Sequence, residues 1–238
     1  MINELYSELL EAEKLTPDNE NEAKIRCLCQ NILSKSMLLR SGGKSGREIN
    51  SIEKRCYKVL NELEKNCIMN FSEGKFKPFY KYDLSLLVKN TVCACELLLS
   101  PGRLSFKTEY SPIFDLCSER LITRAVCEEA LYFYKNYKSG TVTFSAVHYA
   151  SRSVLSAEIS KDNHLSFIKD EKTFDLLRKI AYIHSGSFFT KETACGITLY
   201  LSIHGNSSGD EQLRRIPSYI DMLRDRTSSV YVIVSSSL

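Results

Sequence analysis

The stretch from Leu121 to Ile203 constrains the fold of this chain more than any other, because its apolar residues repeat with a helical period in some parts and a strand period in others. Apolar residues three or four positions apart indicate one buried helix face, whereas apolar residues at every second position indicate a half-buried strand. Helical spacing holds for Leu121, Ile122, Ala125, Val126, Ala130 and Phe133, and again for Leu176, Leu177, Ile180 and Ile183. Alternation holds for Val142–Ala146, Leu155–Ile159 and Ile197–Ile203. The predicted order is helix, strand, strand, helix, strand, and Gly186 is predicted to cap the second helix.

Helical patterns also dominate the first part of the chain. Ile2–Leu15 is a short amphipathic pattern, and Thr16-Pro17 then has the form of a helix start, with threonine as cap and proline at the first position. The helix that follows is predicted to reach about Leu39, and another begins at Arg47. The inner face of the first carries Ile25, Leu28, Cys29, Ile32 and Leu39, and that of the second carries Ile52, Cys56, Val59, Leu60, Leu63 and Cys67. These two helices predict an antiparallel hairpin that buries its apolar stripes by pairing with a second copy into a four-helix homodimer.

Two further segments complete the expected order of elements. Between the hairpin and the central region we predict a helix that ends near Ser100 and a strand at Leu104–Tyr110. The tail, residues 205–238, contains a helical stretch around Gln212–Arg224 and then Val230–Val234, which consists of residues that favour strands. We predict that this last run adds a strand at a sheet edge, and a docking element for a partner is the alternative.

Composition argues against several classes of function. The net charge of +3 comes from lysines and arginines dispersed among nearly as many acids, so no basic surface for nucleic acid is expected. Apolar runs are too short to span a bilayer, and the first residues lack the pattern of a signal peptide, so we predict a cytoplasmic protein without membrane contact. The nine cysteines are predicted to be reduced thiols, and their spacings fit no zinc site.

Short motifs in the central region follow a familiar order. Glu129-Ala130-Leu131 is similar to the start of an asparagine box, Ser160–Asn163 stands where Ser-Asn-Asp-Gly is common, and Leu177–Ile180 with Ser185-Gly186 matches the helix and turn after an ATP lid. In this order and spacing the region resembles the ATP-binding domain of sensor histidine kinases, the Bergerat-type (GHKL) ATPase fold. The hairpin resembles the dimerisation and phosphoacceptor domain of the same kinases, through Lys24-Ile25-Arg26 in its first helix.

The resemblance implies site residues that this chain largely lacks. The asparagine that holds magnesium for ATP would stand four residues after Glu129, where this chain has Phe133, with Tyr132 there if the alignment shifts by one. Glu129 takes the place of the acid that polarises the nucleophile, and a solvated helix glutamate is its alternative interpretation. Asp162 takes the place of the aspartate that reads adenine, and an ordinary turn residue is its alternative interpretation. The segment after it, residues 164–171, has no glycine to close around phosphates.

The phosphoacceptor position departs from the family as well. The acceptor histidine is replaced by Leu28, and the acid beside it by Cys29. The first histidine of the chain is His148, far outside the hairpin. The chain therefore lacks the phosphoacceptor, the metal ligand and the phosphate-binding loop, although its order of helices and strands still resembles the kinase fold. This combination indicates a pseudokinase.

We therefore predict an α+β protein with three parts: a helical dimerisation hairpin over residues 1–73, a histidine-kinase-like ATPase domain over 78–204, and a C-terminal extension over 205–238. Its predicted function is a non-catalytic signalling or scaffold protein of a two-component-type pathway, a homodimer that binds a protein partner and needs no cofactor. One alternative is a divergent ATP-binding ATPase or histidine kinase that uses Glu129 and Asp162. Another is an anti-sigma-like binding module.

Overall fold

The computed structural model describes most of the chain in eight ranges: 2–16, 21–42, 46–71, 79–99, 104–160, 166–193, 196–204 and 210–237. The part before residue 79 is helical, with α1 (Ile2–Lys14), α2 (Glu22–Ser41) and α3 (Arg47–Met69). The predicted helices are therefore confirmed. The proposed start at Thr16-Pro17 lies partly outside the described ranges, and α2 begins at Glu22. Among the helices built from the described residues, none combines the length and apolar character that a membrane crossing requires.

The apolar stripe of α3 is buried inside one chain. Ile52, Cys56 and Leu63 have no exposed surface. They share a core with Leu5 and Leu9 of α1 and with Val232 near the C-terminus. The sequence argument for a dimer assumed that the hairpin leaves this stripe uncovered, and that assumption is wrong because α1 folds back onto α2 and α3.

Two sheets and five helices make up the rest of the described chain. The elements are β1 (Tyr80–Asp83), α4 (Leu84–Leu98), β2 (Ser105–Glu109), β3 (Phe114–Cys117), α5 (Glu119–Asn136), β4 (Thr141–Tyr149), β5 (Arg152–Ser160), α6 (Glu171–Ile183), β6 (Phe188–Glu192), β7 (Gly196–Ile203), β8 (Asp210–Leu213), α7 (Tyr219–Arg224) and α8 (Ser229–Ser237). The larger sheet has the order β2-β4-β5-β7-β6, and only β2 and β4 are parallel. The smaller sheet has the order β3-β1-β8. This mixture of helices and mixed sheets confirms the predicted α+β class.

The large sheet is buried on one face, as the alternation in the sequence predicts. Phe144 of β4 pairs with Ala157 of β5, which pairs with Leu199 of β7, and all three are at most 1% exposed. The residues next to them along each strand, which point to the other face of the sheet, are polar or half-buried. Helices α4, α5 and α6 lie in the same core as this inner face, so α5 is placed at the centre of the domain.

The end of α6 shows why glycine stands at position 186. Ser185 adopts the left-handed conformation with φ 54°, and Gly186 donates its N–H to the Ala181 carbonyl over 2.8 Å. This is a Schellman cap. A Cβ on Gly186 would lie 1.8 Å from the carbonyl oxygen of Ser202. The predicted cap is confirmed, and the glycine is required by close approach to β7, while Ser185 takes the positive φ.

The tail differs from its prediction. Val230–Val234 lies in α8 and is not an edge strand, and the predicted helix around Gln212–Arg224 is divided into β8 and the shorter α7. Val230, Ile233 and Val234 are at most 1% exposed, in the core that contains α5. Burial of these side chains outweighs the intrinsic strand preference of valine and isoleucine, since that preference is itself mostly a matter of packing.

Candidate functional site

Helix α5 carries the first candidate residue, Glu129, in the middle of the protein. The helix is surrounded by α4, α6 and α8, so Glu129 is 1% exposed and its Oε1 has no hydrogen-bond partner among the described residues. Burial raises the pKa of this carboxyl to about 8, because the charged form loses its hydration. Glu129 is therefore a neutral acid at pH 7, and its interpretation as a solvated glutamate is wrong.

Phe133 and Tyr132, the residues at the metal-ligand position, belong to a buried aromatic cluster. The ring centroids of Tyr132 and Phe133 are 5.1 Å apart, and Phe174 of α6 lies 5.3 Å from Tyr132. Phe133 has no exposed surface and also packs against Tyr137 at 5.8 Å. These offset and edge contacts are the arrangements that aromatic side chains prefer. Phe133 offers no oxygen to a metal ion, and its ring fills the space around it.

Hydrogen bonds from two tyrosine hydroxyl groups of this cluster hold the segment that precedes α6. Tyr132 donates its hydroxyl proton to the Ile168 carbonyl over 2.8 Å, and Tyr137 donates to the Ser166 carbonyl over 3.3 Å. Asp170 then caps α6 by accepting from the Thr173 backbone N–H over 3.2 Å. The end of the segment that would form an ATP lid in a kinase is thus held against α5 by protein contacts. Asp162, the proposed adenine reader, lies outside the described residues.

The two positions on α2 that correspond to the phosphoacceptor and the acid beside it lie in apolar surroundings. Leu28 is half-buried and packs against the helical core, while Cys29 has no exposed surface. The Cys56 Sγ donates to the Cys29 carbonyl over 3.4 Å. Its contact with Cys29 and its burial both raise the pKa of the Cys56 thiol. Leu28 has no nucleophilic atom, and the thiols of Cys29 and Cys56 are buried, so neither position offers an accessible nucleophile for a phosphoryl group.

An ion cluster between α3 and α5 was missed in the sequence. Arg124 of α5 is fully buried and its Nη2 donates to Glu128 Oε1 over 2.5 Å. Its Nη1 donates to Glu64 Oε2 of α3 over 3.1 Å, and Arg120 Nε donates to Glu64 Oε1 over 2.6 Å. Burial opposes the charge on Glu64, but the two arginines outweigh it and lower the pKa of this carboxyl. The signal for this cluster was present, because Glu64 falls on the apolar stripe of α3.

A second ion cluster ties the C-terminal segment to the helical part. Glu53 of α3 is 7% exposed. It accepts from Arg40 Nη2 over 2.7 Å, from Ser36 Oγ over 2.6 Å and from Arg226 Nη1 over 3.3 Å. Arg226 lies shortly before α8, so this cluster joins the C-terminal segment to α2 and α3.

Solved histidine kinase structures share this fold. The Acinetobacter baumannii histidine kinase AdeS matches with a TM-score of 0.56 at 13% identity, over 79% of this chain and 98% of that chain. Full-length ShkA, in complex with AMPPNP, matches with a TM-score of 0.57 at 11% identity, over 79% of this chain and 46% of that chain. No protein-family model and no curated protein matches the sequence. At identities this low, the likeness establishes a histidine-kinase-like fold and nothing finer.

Proposed function

We propose that this protein is a non-catalytic, histidine-kinase-like component of a two-component-type signalling pathway, and that it acts by binding another protein. The observation that carries the proposal is the aromatic cluster around Phe133. In the resemblance to sensor kinases, this is the position of the magnesium ligand, and here it is an apolar ring with no exposed surface. The fold would then be kept as a shape for protein contacts after its catalytic groups were replaced.

The chemistry of magnesium supports this proposal. Magnesium requires hard oxygen ligands in near-octahedral geometry, and Phe133 supplies none. Glu129 is uncharged at pH 7 and only 1% exposed, so it cannot serve as the base that activates a nucleophile. A triphosphate placed against this cluster without a cation would leave several charges unpaired, which costs more than hydrogen bonds alone return.

The nucleotide test uses the full chain. We expect no heat on titration of Mg-ATP in a calorimeter and no shift in melting temperature. A dissociation constant below about 1 mM, equivalent to binding stronger than about −4.1 kcal/mol, would overturn the proposal if Asp162→Asn abolished it. That result would favour the alternative, a divergent ATPase that uses Glu129 and Asp162.

The phosphotransfer test addresses the helical part. Residues 1–73 contain no histidine, and the thiols of Cys29 and Cys56 are buried. Incubation with labelled ATP, or with a phosphorylated receiver domain, is expected to leave this region unlabelled. Acid-labile label on residues 20–70 would contradict the proposal.

Homodimerisation through the helical part is a separate proposal, and the structure changes how it must be tested. Leu63 is fully buried within one chain, so Leu63→Asp would unfold the protein rather than separate two copies. A dimer would have to use exposed apolar residues such as Met37 and Leu38 of α2, which are 48% and 69% exposed. Sedimentation of the unaltered chain at micromolar concentration should give the mass of a dimer, and the Leu38→Asp variant should give the mass of a monomer. A monomer mass for the unaltered chain would remove the proposal.

A further inference from the structure

The large sheet has an open edge, which is formed by β6. In the strand order β2-β4-β5-β7-β6, no strand of the described chain lies beyond β6. The opposite edge is partly blocked, because Phe106 of β2 donates its outward backbone N–H to the Glu96 carboxyl group over 3.3 Å. Among the described residues, no such contact is made to the N–H of Phe188 or Thr190 in β6. An open edge of this kind is a template for pairing with another strand.

The hydrogen bond at the start of β6 shows which backbone groups point outward. Ser202 of β7 donates its N–H to the Ser187 carbonyl over 2.8 Å. Hydrogen-bonded and non-hydrogen-bonded pairs alternate along an antiparallel ladder. In the register of β6 with β7, Phe188 and Thr190 therefore direct their N–H and C=O groups away from β7.

The exposed side chains of β6 are an aromatic ring and an ammonium group. Phe188 lies on the core face of the sheet, where its ring centroid is 5.5 Å from that of Phe174. Side chains alternate between the two faces, so Phe189 and Lys191 lie on the outer face. The ring of Phe189 is stacked on Tyr200 with centroids 4.8 Å apart, yet Phe189 is still 50% exposed. Lys191 is exposed beside it.

We propose that β6 pairs antiparallel with β6 of a second copy of this chain, around a two-fold axis at Thr190. In this register the N–H and C=O of Thr190 bond those of Thr190 in the second copy, and the two strands overlap along their full length. Phe189 then lies opposite Lys191 of the second copy in a non-hydrogen-bonded pair, where side chains approach most closely. The two five-stranded sheets become one continuous sheet.

The side chains favour both this register and a second copy as the occupant. A register centred on Lys191 would place two ammonium groups opposite each other, and like charges directly opposite destabilise a strand pair. The register centred on Thr190 instead gives two contacts between an ammonium group and an aromatic ring, one on each side of the axis. A second copy offers a strand that is already ordered, so pairing avoids the entropy cost of ordering a flexible peptide.

This contact is separate from the exposed face of α2, and it depends neither on ATP nor on the proposed function. A strand of five residues buries little surface, so we expect a dissociation constant on the order of 0.1 mM. The pairing through β6 therefore contributes little at micromolar concentration, where the mass reports on α2.

Sedimentation equilibrium of the full chain between about 10 µM and about 1 mM tests the pairing. All proteins carry Leu38→Asp, so that α2 does not contribute. The average mass should rise to nearly twice its starting value over this range. Thr190→Pro should keep the starting mass, because proline has no N–H to donate, and proline is tolerated where the N–H of an edge strand points outward.

Thr108→Pro is the matched control for this variant. Thr108 lies on the other edge strand, β2, and its N–H points away from β4 as that of Phe106 does. Both proline variants should keep the melting temperature of their parent, and only Thr108→Pro should still associate. A mass that stays constant up to about 1 mM in the parent, or equal association of the two proline variants, would overturn the proposal.

A charge reversal at an exposed position tests the register without touching the backbone. Lys191→Glu should weaken the association about 10-fold, because two contacts between ammonium group and ring are lost in each pair. Lys107→Glu changes the net charge equally at an exposed lysine of β2 and should associate as the parent does. Equal association of these two variants would show that the register centred on Thr190 is wrong.

Discussion

Arg124 donates from Nη1 to the Oε2 of Glu64 over 3.1 Å, and this contact joins the central helix α5 to the helical part of the chain. Arg124 has no exposed surface, and Glu64 is 4% exposed. The same guanidinium also bonds Glu128. A charge in such a place is tolerated only while it is paired, so the helical part and the sheet domain depend on one another for stability.

The first prediction concerns this ion cluster. Arg124→Met should lower the free energy of unfolding by about 3–5 kcal/mol, because it leaves Glu128 buried without its arginine. The double variant Arg124→Met with Glu128→Leu should recover a large part of the loss, since no unpaired charge remains there. Arg178→Met is the control, because Arg178 pairs with Asp175 at the surface with about half of its side chain exposed and should change stability by less than about 1 kcal/mol. Urea unfolding measures all three, and equal losses for Arg124→Met and Arg178→Met would contradict the argument.

The second prediction concerns Glu129 and alkaline pH. Its pKa is raised to about 8 in the folded protein and is near 4.3 in the unfolded chain. The folded state therefore holds a proton that the unfolded state releases, and stability falls as the pH rises from about 4.5 to 8. The amide in Glu129→Gln has nearly the shape of the neutral carboxyl group and does not ionise. At pH 8 this variant should therefore be more stable than the unaltered chain, by an amount on the order of a few kcal/mol.

The control for Glu129 is Glu109→Gln, which changes an exposed glutamate of β2. The measurement is urea unfolding of the three proteins at pH 5 and pH 8. The difference between Glu129→Gln and the unaltered chain should be larger at pH 8 than at pH 5. A difference that does not change with pH would show that the carboxyl is not held neutral.

The third prediction concerns His184 and acid pH. This fully buried ring accepts the Ser118 N–H at Nε2 over 3.2 Å, and its Nδ1 bonds the Ile180 carbonyl over 2.9 Å. Burial lowers its pKa to about 4. The unfolded chain takes up a proton near pH 6.5 and the folded chain does not, so stability is lost as the pH falls from about 6.5 to 4.

His184→Gln tests this acid dependence. The variant should be less stable than the unaltered chain at pH 7, because it loses the stacked contact with Phe79 at 4.9 Å, and the gap should narrow toward pH 4. Leu97→Ala, at a residue of α4 that is 63% exposed, changes no titratable group and should leave the pH profile of stability unchanged. A constant gap for His184→Gln between pH 7 and pH 4 would refute the prediction.

The fourth prediction concerns α8. Ile233 has no exposed surface and packs in the core that contains α5. Ile233→Ala should lower the free energy of unfolding by about 2–5 kcal/mol, through lost burial and the cavity that remains. Leu213→Ala, at a residue that is 56% exposed, should cost less than about 0.5 kcal/mol. Thermal unfolding compares the two, and equal effects would mean that α8 does not belong to the core.

Much of the site could be predicted because it depends on residue type at one position. Phe133 cannot ligate magnesium and Leu28 cannot accept phosphate, whatever the surrounding structure. The burial of Glu129 could not be predicted in this way. It depends on the helices that pack around α5, and one of these, α8, follows about a hundred residues later and was concealed by the strand preference of Val230–Val234. The short strands β1, β3, β6 and β8 were missed as well, since four or five residues carry too little periodicity.

The sequence by itself determined the local elements and the missing chemistry. The periods of α3, α5 and α6 and the alternation of β4, β5 and β7 arise from neighbours along the chain, so they can be seen without a structure. Only the tertiary structure decided which side chains meet across those elements. It placed Glu64 against Arg124, covered the stripe of α3 with α1, and buried the hydroxyl of Thr123 without a hydrogen-bond partner among the described residues. The physical reason is that pairing, burial and cavity formation depend on contacts between residues far apart in sequence, and no local pattern specifies those contacts.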